Sequence, residues 1–111
     1  MRNKFRAWDK IHHEMYEWEI VKSEFTMSDF ENVDLLMMQF TGLTDINGKE
    51  IYEGDIITTD IDSIKGTLIY RYGCFQVKYG HGKYESLINI AYPEVIGNIY
   101  QHKHLLKENE K

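Results

Sequence analysis

Cysteine occurs once in this 111-residue chain, at Cys74, and proline once, at Pro93. A single thiol excludes an intrachain disulfide and a cysteine-rich zinc site, and it is compatible with a reducing compartment. No apolar run approaches the roughly eighteen residues of a membrane span, so no spanning helix is expected. Residues 1–10 carry charge but no apolar stretch follows them, which reads as no secretory leader and a cytoplasmic protein. Positive charge is also in deficit: 13 lysines and arginines face 18 acids, for a formal charge of −5, the opposite of a typical nucleic-acid arm. Aromatic residues, by contrast, make up 14% of the chain. They supply large buried areas, so one core can form without a metal or disulfide staple.

Charge is unevenly placed. Residues 1–10 hold Arg2, Lys4, Arg6 and Lys10 against Asp9, whereas residues 13–34 hold seven acids against Lys22. Such a block reads first as a solvated face, which favours solubility without naming a partner. Period-two alternation predicts strands at residues 4–8 and 14–21, with Tyr16, Trp18 and Ile20 on one face of the second. Asp9 to His13 is the turn between them. Residues 23–34 lose the alternation and read as a long loop or a short helical turn begun by Ser28 or Asp29. The apolar run at residues 35–40 has strand length and is expected to be buried on both sides.

Turn chemistry recurs at short intervals in the second half: Asn47-Gly48, Glu53-Gly54-Asp55, Lys65-Gly66, Tyr72-Gly73 and Gly80-His81-Gly82. The segments between them predict strands at residues 55–60, 66–72, 74–79, 84–90 and 94–100. Five short strands with tight turns form a closed or half-closed barrel, because closure removes the exposed edges of so small a sheet. Residues 101–111 are polar apart from Leu105 and Leu106, which predicts one docked turn and a frayed end.

Four pieces of the chain, in order, are KFRAWD at residues 4–9, QFTGLTDINGKEIYEGDI from Gln39, a strand pair after it, and EVIGNIY at residues 94–100. Together they resemble the YopX family of small bacteriophage and prophage proteins over nearly the whole chain. The resemblance implies an SH3-type small barrel in the second half, and with the patterning above the expectation is a mainly β protein with an N-terminal β-hairpin extension and little helix. It implies one domain, with hairpin and acidic loop at 1–40, barrel at 41–102 and a polar tail at 103–111. It also implies a phage or prophage origin and a homo-oligomer in the host-cell cytoplasm, and it brings no catalytic residues. The residues of the shared stretch have backbone and packing roles: Asn47-Gly48 and Gly54 suit positive φ, while Ile51, Tyr52 and Ile56 are apolar anchors. Lys49, Glu50, Glu53 and Asp55 alternate with them and are expected to stay in water.

Candidate chemistry is sparse. Asp60 and Asp62, with Glu53 and Asp55 near in sequence, suggest a hard-cation site, but TTDIDSIKG lacks the further oxygens of a calcium loop and reads better as a solvated turn. His12-His13 and His102/His104 lack a complete zinc ligand set, and His81 lies between two glycines at a turn. Cys74 has no activating frame and reads as a small buried hydrophobe. The glycines at Gly80 and Gly82 are not followed by the helix of a phosphate loop. No cofactor and no metal are expected. Tyr70, Arg71, Tyr72, Phe75, Lys78, Tyr79, Lys83 and Tyr84 interleave aromatic and basic groups, a pattern suited to stacking bases while tracking phosphates. The net charge opposes that use, and a half-buried strand or a subunit interface uses the same residues.

The sequence therefore favours a non-enzymatic module that associates with itself or with a phage or host protein. The expected contact is the hairpin bearing Phe5, Trp8, Tyr16 and Trp18. A single-stranded nucleic-acid-binding barrel is the second reading, and a metal-dependent enzyme built on Asp60 and Asp62 the third.

Overall fold

A computed structural model describes residues 3–59, 64–80 and 82–110, the last four by backbone alone. The chain divides into two units, Met1–Phe40 and Thr41–Lys111.

In the first unit, strand β1 (Phe5–Asp9) pairs antiparallel with β2 (Glu14–Tyr16), Ala7 standing opposite Tyr16. On its other side β1 pairs with β3 (Leu35–Thr44), which continues into the second unit; here Ala7 faces Met37. The second predicted strand stops early. Residues Trp18–Glu24 form helix α1, not the rest of a strand over 14–21. The alternation of Tyr16, Trp18 and Ile20 is short enough to coincide with a helical period, and Trp18, Val21 and Phe25 satisfy that period equally well. Burial decides between them, since Val21 is buried on the helix whereas Ile20 is 41% exposed. The acidic loop also contains a helix, α2 (Met27–Glu31), whose N-cap is Thr26 and not Ser28 or Asp29. Asp29 instead reaches back to accept the Thr26 N–H at 2.8 Å, satisfying a backbone group at the helix start. Of residues 35–40 only Met38 is buried, so this run is half-buried and not covered on both sides.

The second unit contains β4 (Glu50–Tyr52), β5 (Asp55–Thr59), β6 (Lys65–Arg71), β7 (Cys74–Tyr79), β8 (Tyr84–Ser86) and β9 (Pro93–Asn98). β4 adjoins β3, while the other five form an antiparallel sheet in the order β8-β7-β6-β5-β9. Strands β5 to β8 meander, and β9 returns to lie against β5 with a register shift between Ile56 and Ile57. That is the strand order of an SH3-type barrel, and with 48% strand against 19% helix the mainly β class holds. Ile51, Ile57, Leu68, Val77, Tyr79, Leu87, Ile90 and Val95 form its core.

Two expected strands are shorter than their apolar patterns. Residues 84–90 yield β8 and then a 3-10 turn at Leu87–Asn89, which buries Leu87 and leaves Ile88 79% exposed. β9 ends at Asn98, whose Oδ1 accepts the N–H groups of Tyr100 and Gln101 and so bends the chain away. The tail beyond carries a 3-10 helix at Lys103–Glu110, more than the single turn expected.

Candidate functional site

The shared stretch around Asn47-Gly48 is built for structure. Asp45 is buried, and its Oδ1 accepts the N–H groups of Asn47 and Lys49 at 2.8 and 2.9 Å while its Oδ2 accepts that of Val95 at 2.9 Å. Burial works against its charge, but these N–H donors and the Lys49 ammonium outweigh it and hold the pKa below the ordinary value. Asp55 is 1% exposed, contrary to the expectation that it stays in water: its Oδ2 takes the Tyr52 N–H at 2.8 Å, which closes the turn through Gly54 at φ +86°. A carboxylate that caps backbone donors is more useful there than a hydrated one.

Beside the turn at Asp45 to Lys49 lies an open, mainly apolar cleft of about 290 Å3, lined by Leu43, Thr44, Ile51, Leu87, Ile88, Ile90 and Pro93. Leu43 is 41% exposed and Ile88 79%, and Ile46, whose N–H bonds the Pro93 carbonyl, is 45% exposed. Sequence reasoning missed this cleft. Ile88 sat inside a predicted strand, and only the 3-10 turn sends it outward.

The aromatic and basic candidates of the second half are split between the two faces of the sheet. Directly opposite residues share a face, so the pairs Thr67/Lys78, Lys78/Tyr84 and Arg71/Cys74 place Arg71, Lys78 and Tyr84 on the outward side. Tyr70, Phe75 and Tyr79 lie on the core side. Tyr79 is buried and donates its hydroxyl to Glu85, and the Tyr70 ring lies 5.0 Å from that of Phe75. On the outward side the Arg71 guanidinium reaches diagonally over β7 to lie 3.6 Å from the Tyr84 ring centroid and 4.6 Å from that of Tyr72. Tyr72 occupies the β6–β7 turn at φ +54° with 87% exposure. Lys83 is exposed just before β8. Cys74 shares this face and is exposed, not the buried hydrophobe expected. Its thiol donates towards the Arg71 carbonyl at 3.6 Å and receives the Gln76 amide at 3.2 Å.

The expected hairpin contact is largely occupied by its own unit. Trp8 is buried, and the rings of Phe5, Trp18, Phe30, Phe25 and Tyr16 form a chain of neighbours with centroid spacings of 5.8–6.5 Å. At the hairpin turn, Asp9 is buried and accepts the N–H groups of Ile11 and His12, the His12 ring Nδ1–H at 2.8 Å and the Tyr16 hydroxyl at 3.0 Å. The backbone and ring donation from His12 comes first among the causes that hold the Asp9 pKa far below its usual range. Reciprocally, the Asp9 hydrogen bond and charge raise that of His12, and the same carboxylate pushes the Tyr16 phenol up to about 12.

The histidines among the described residues are engaged structurally. His13 packs edge-on against Trp8, and His102 Nδ1 accepts the Asn98 N–H while its ring lies 6.4 Å from that of His104. No group of three or more metal-ligating side chains occurs among the described residues. Asp60, Asp62 and His81 lie outside the described residues.

Comparison with known proteins accords with this fold. The chain is similar to the protein EF1440 from Enterococcus faecalis, whose crystal structure superposes with a TM-score of 0.71 at 25% identity over 96% of this chain and 99% of that one. It is similar also to the crystal structure of the protein yopX from Bacillus subtilis, with a TM-score of 0.64 at 26% identity and the same coverage. A search of curated proteins gives no match. The family described as YopX protein matches residues 21–107, and the chain belongs to the YopX family.

Proposed function

We propose that this protein is a non-enzymatic phage or prophage accessory module of the bacterial cytoplasm that pairs with a second copy of itself through the apolar cleft of its second unit. The observation that supports the reading is the exposure of Leu43, Ile46 and Ile88 around that cleft. Leu43 and Ile88 line the cleft and the Ile46 backbone is bonded to Pro93 of its wall, and exposed apolar surface gathered in this way marks interaction sites. Ile88 is largely exposed and Leu43 and Ile46 less than half, so burying them twice in a two-fold pair contributes on the order of 5–10 kcal/mol. That is comparable with the ~4–15 kcal/mol cost of association, so the pair is a weak one.

Light scattering across a concentration series tests the reading. A mass that rises towards two chains in the high micromolar range, and stays at one chain in Ile88→Asp, supports it. Ile88 is exposed on a 3-10 turn, so its replacement leaves the core intact. A mass that stays at one chain throughout overturns it, as does a dimer indifferent to Ile88→Asp.

A further inference from the structure

We infer that the outward face of β6, β7 and β8 is a binding site for single-stranded nucleic acid, in which Tyr72 stacks a base beside Arg71 at one end of β7 while Lys78 and Lys83 hold phosphates farther along the strand at the other end. This site is separate from the apolar cleft, and it stands or falls independently of self-association.

Charge provides the first argument. The chain carries −5 overall, yet the register places Lys65, Thr67, Ile69 and Arg71 of β6, Cys74, Gln76 and Lys78 of β7, and Tyr84 and Ser86 of β8 on one face with no carboxylate among them. Glu85, the acid of β8, points to the other side, opposite Val77. A basic face on an acidic protein attracts anions locally while the rest of the molecule repels them, which confines a polyanion to this surface.

The geometry of Arg71 provides the second argument. Its guanidinium lies over the rings of Tyr84 and Tyr72, and its Nε is buried without a hydrogen-bond acceptor among the described residues, so the terminal nitrogens are the ones left to meet an external anion. Ring faces hold the group in place without neutralising it. An arginine fixed in this way offers its terminal nitrogens to an external phosphate and has already given up much of its side-chain freedom. Lys78 stands opposite Tyr84 in register and Lys83 precedes it, both exposed, so the three cations flank the tyrosines.

Tyr72 itself provides the third. It follows Arg71 in a two-residue turn in which it and Gly73 both have positive φ, +54° and +80°. Asn or Gly suits such a position, and a bulky side chain there is strained. The ring is nonetheless 87% exposed, so its own packing repays little of that strain. An open tyrosine face held beside a fixed arginine is what base stacking requires. Because these contacts go to base faces and phosphates, groups common to DNA and RNA, the site is indifferent to the sugar.

Fluorescence anisotropy on the full chain, with labelled oligothymidylate and oligouridylate of about twelve nucleotides, tests the assignment. Expected are micromolar dissociation constants at about 50 mM salt and a log–log salt slope near −2, as three phosphate contacts on a single strand give. The two oligomers should agree within about threefold, and Lys83→Ala should flatten the slope by about 0.7. Tyr72→Asn, which suits the turn and removes the ring, should weaken binding about tenfold without lowering the melting temperature. Absence of binding at low salt would overturn the proposal, as would Tyr72→Asn binding undiminished. Equal affinity for duplex DNA would remove the stacking role, and equal affinity for polyglutamate of the same length would make the face a site for acidic protein instead.

Discussion

Asp45 Oδ2 accepts the backbone N–H of Val95 at 2.9 Å, tying residues fifty apart in sequence with one carboxylate. The other oxygen of the same group holds Asn47 and Lys49, so the turn and the first residues of β9 share an anchor. The Ile46 N–H to Pro93 carbonyl bond at 3.0 Å runs beside it. The conspicuous Asn-Gly pair is thus the tip of a turn whose geometry is set from Asp45, and the apolar cleft is formed where that turn meets the 3-10 turn after β8.

Replacing Asp45 with Ala leaves three backbone donors without their acceptor, that of Val95 in a buried setting and those of Asn47 and Lys49 in part-buried ones. The expected cost is on the order of 3 kcal/mol, read as a lower denaturation midpoint. Because the folded pKa of Asp45 is depressed below its ordinary 3.8, its contribution is present above about pH 4 and is lost as pH falls through the folded value. An Asp45→Ala variant should therefore lose less stability on acidification than the parent. Parallel acid sensitivities would count against this role.

The Asp9–His12 pair has a window of opposite sign at its upper end. The raised His12 pKa means that its stabilisation is complete below its ordinary value of 6.5 and disappears as pH rises through the folded value. Asp9, with a depressed pKa, contributes above its ordinary 3.8 and loses that contribution as pH falls. The hairpin should be most stable between about pH 4 and 6.5. An NMR titration placing His12 above 6.5, and back at 6.5 or below in Asp9→Asn, is the expected result; a His12 value unaffected by Asp9→Asn would contradict it.

Gly66 and Gly80 predict a contrast. A Cβ on Gly66 would stand 2.5 Å from Val77 Cγ1 and 2.8 Å from the Lys78 carbonyl oxygen, whereas a Cβ on Gly80 would meet nothing within 4 Å. Gly66→Ala should cost about 2 kcal/mol through displaced backbone, and Gly80→Ala should be neutral or slightly stabilising. Thermal melts of the two variants decide the matter, and equal midpoints would show that β6 and β7 are not packed so closely.

Trp18 is half-buried against Phe5 in the aromatic chain of the first unit. Trp18→Ala should destabilise that unit by about 2 kcal/mol, less than a fully buried ring would cost. The association state measured by light scattering should stay as in the parent, since these rings serve their own unit. A variant that is as stable as the parent but has lost self-association would return the interface to this hairpin.

Legibility followed the range of the interaction responsible. Strand β7 and the turns at Tyr72-Gly73 and Gly54 were readable because alternation and positive-φ residues act over neighbours in sequence. The outward site was readable in part: its residue types were visible in sequence, but their division between two faces was not, since a face is defined only once a register is set. Residues 18–24 were misread because a few apolar positions fit two periods, and the burial of Val21 in the folded unit resolves them.

By itself the sequence determined the mainly β class, the positions of five second-half strands along the chain, the membership of the YopX family and the compatibility with a core free of disulfides. These depend on local backbone preference and on the apolar pattern, both written along the chain. Tertiary structure alone decided that Asp45 and Asp55 are buried caps, that Ile88 turns outward, that Cys74 is exposed, and that Arg71 stacks on Tyr84 across an intervening strand. Each of these depends on which distant backbone group or ring arrives nearby, and burial and hydrogen-bond satisfaction are properties of that arrival and not of the residue.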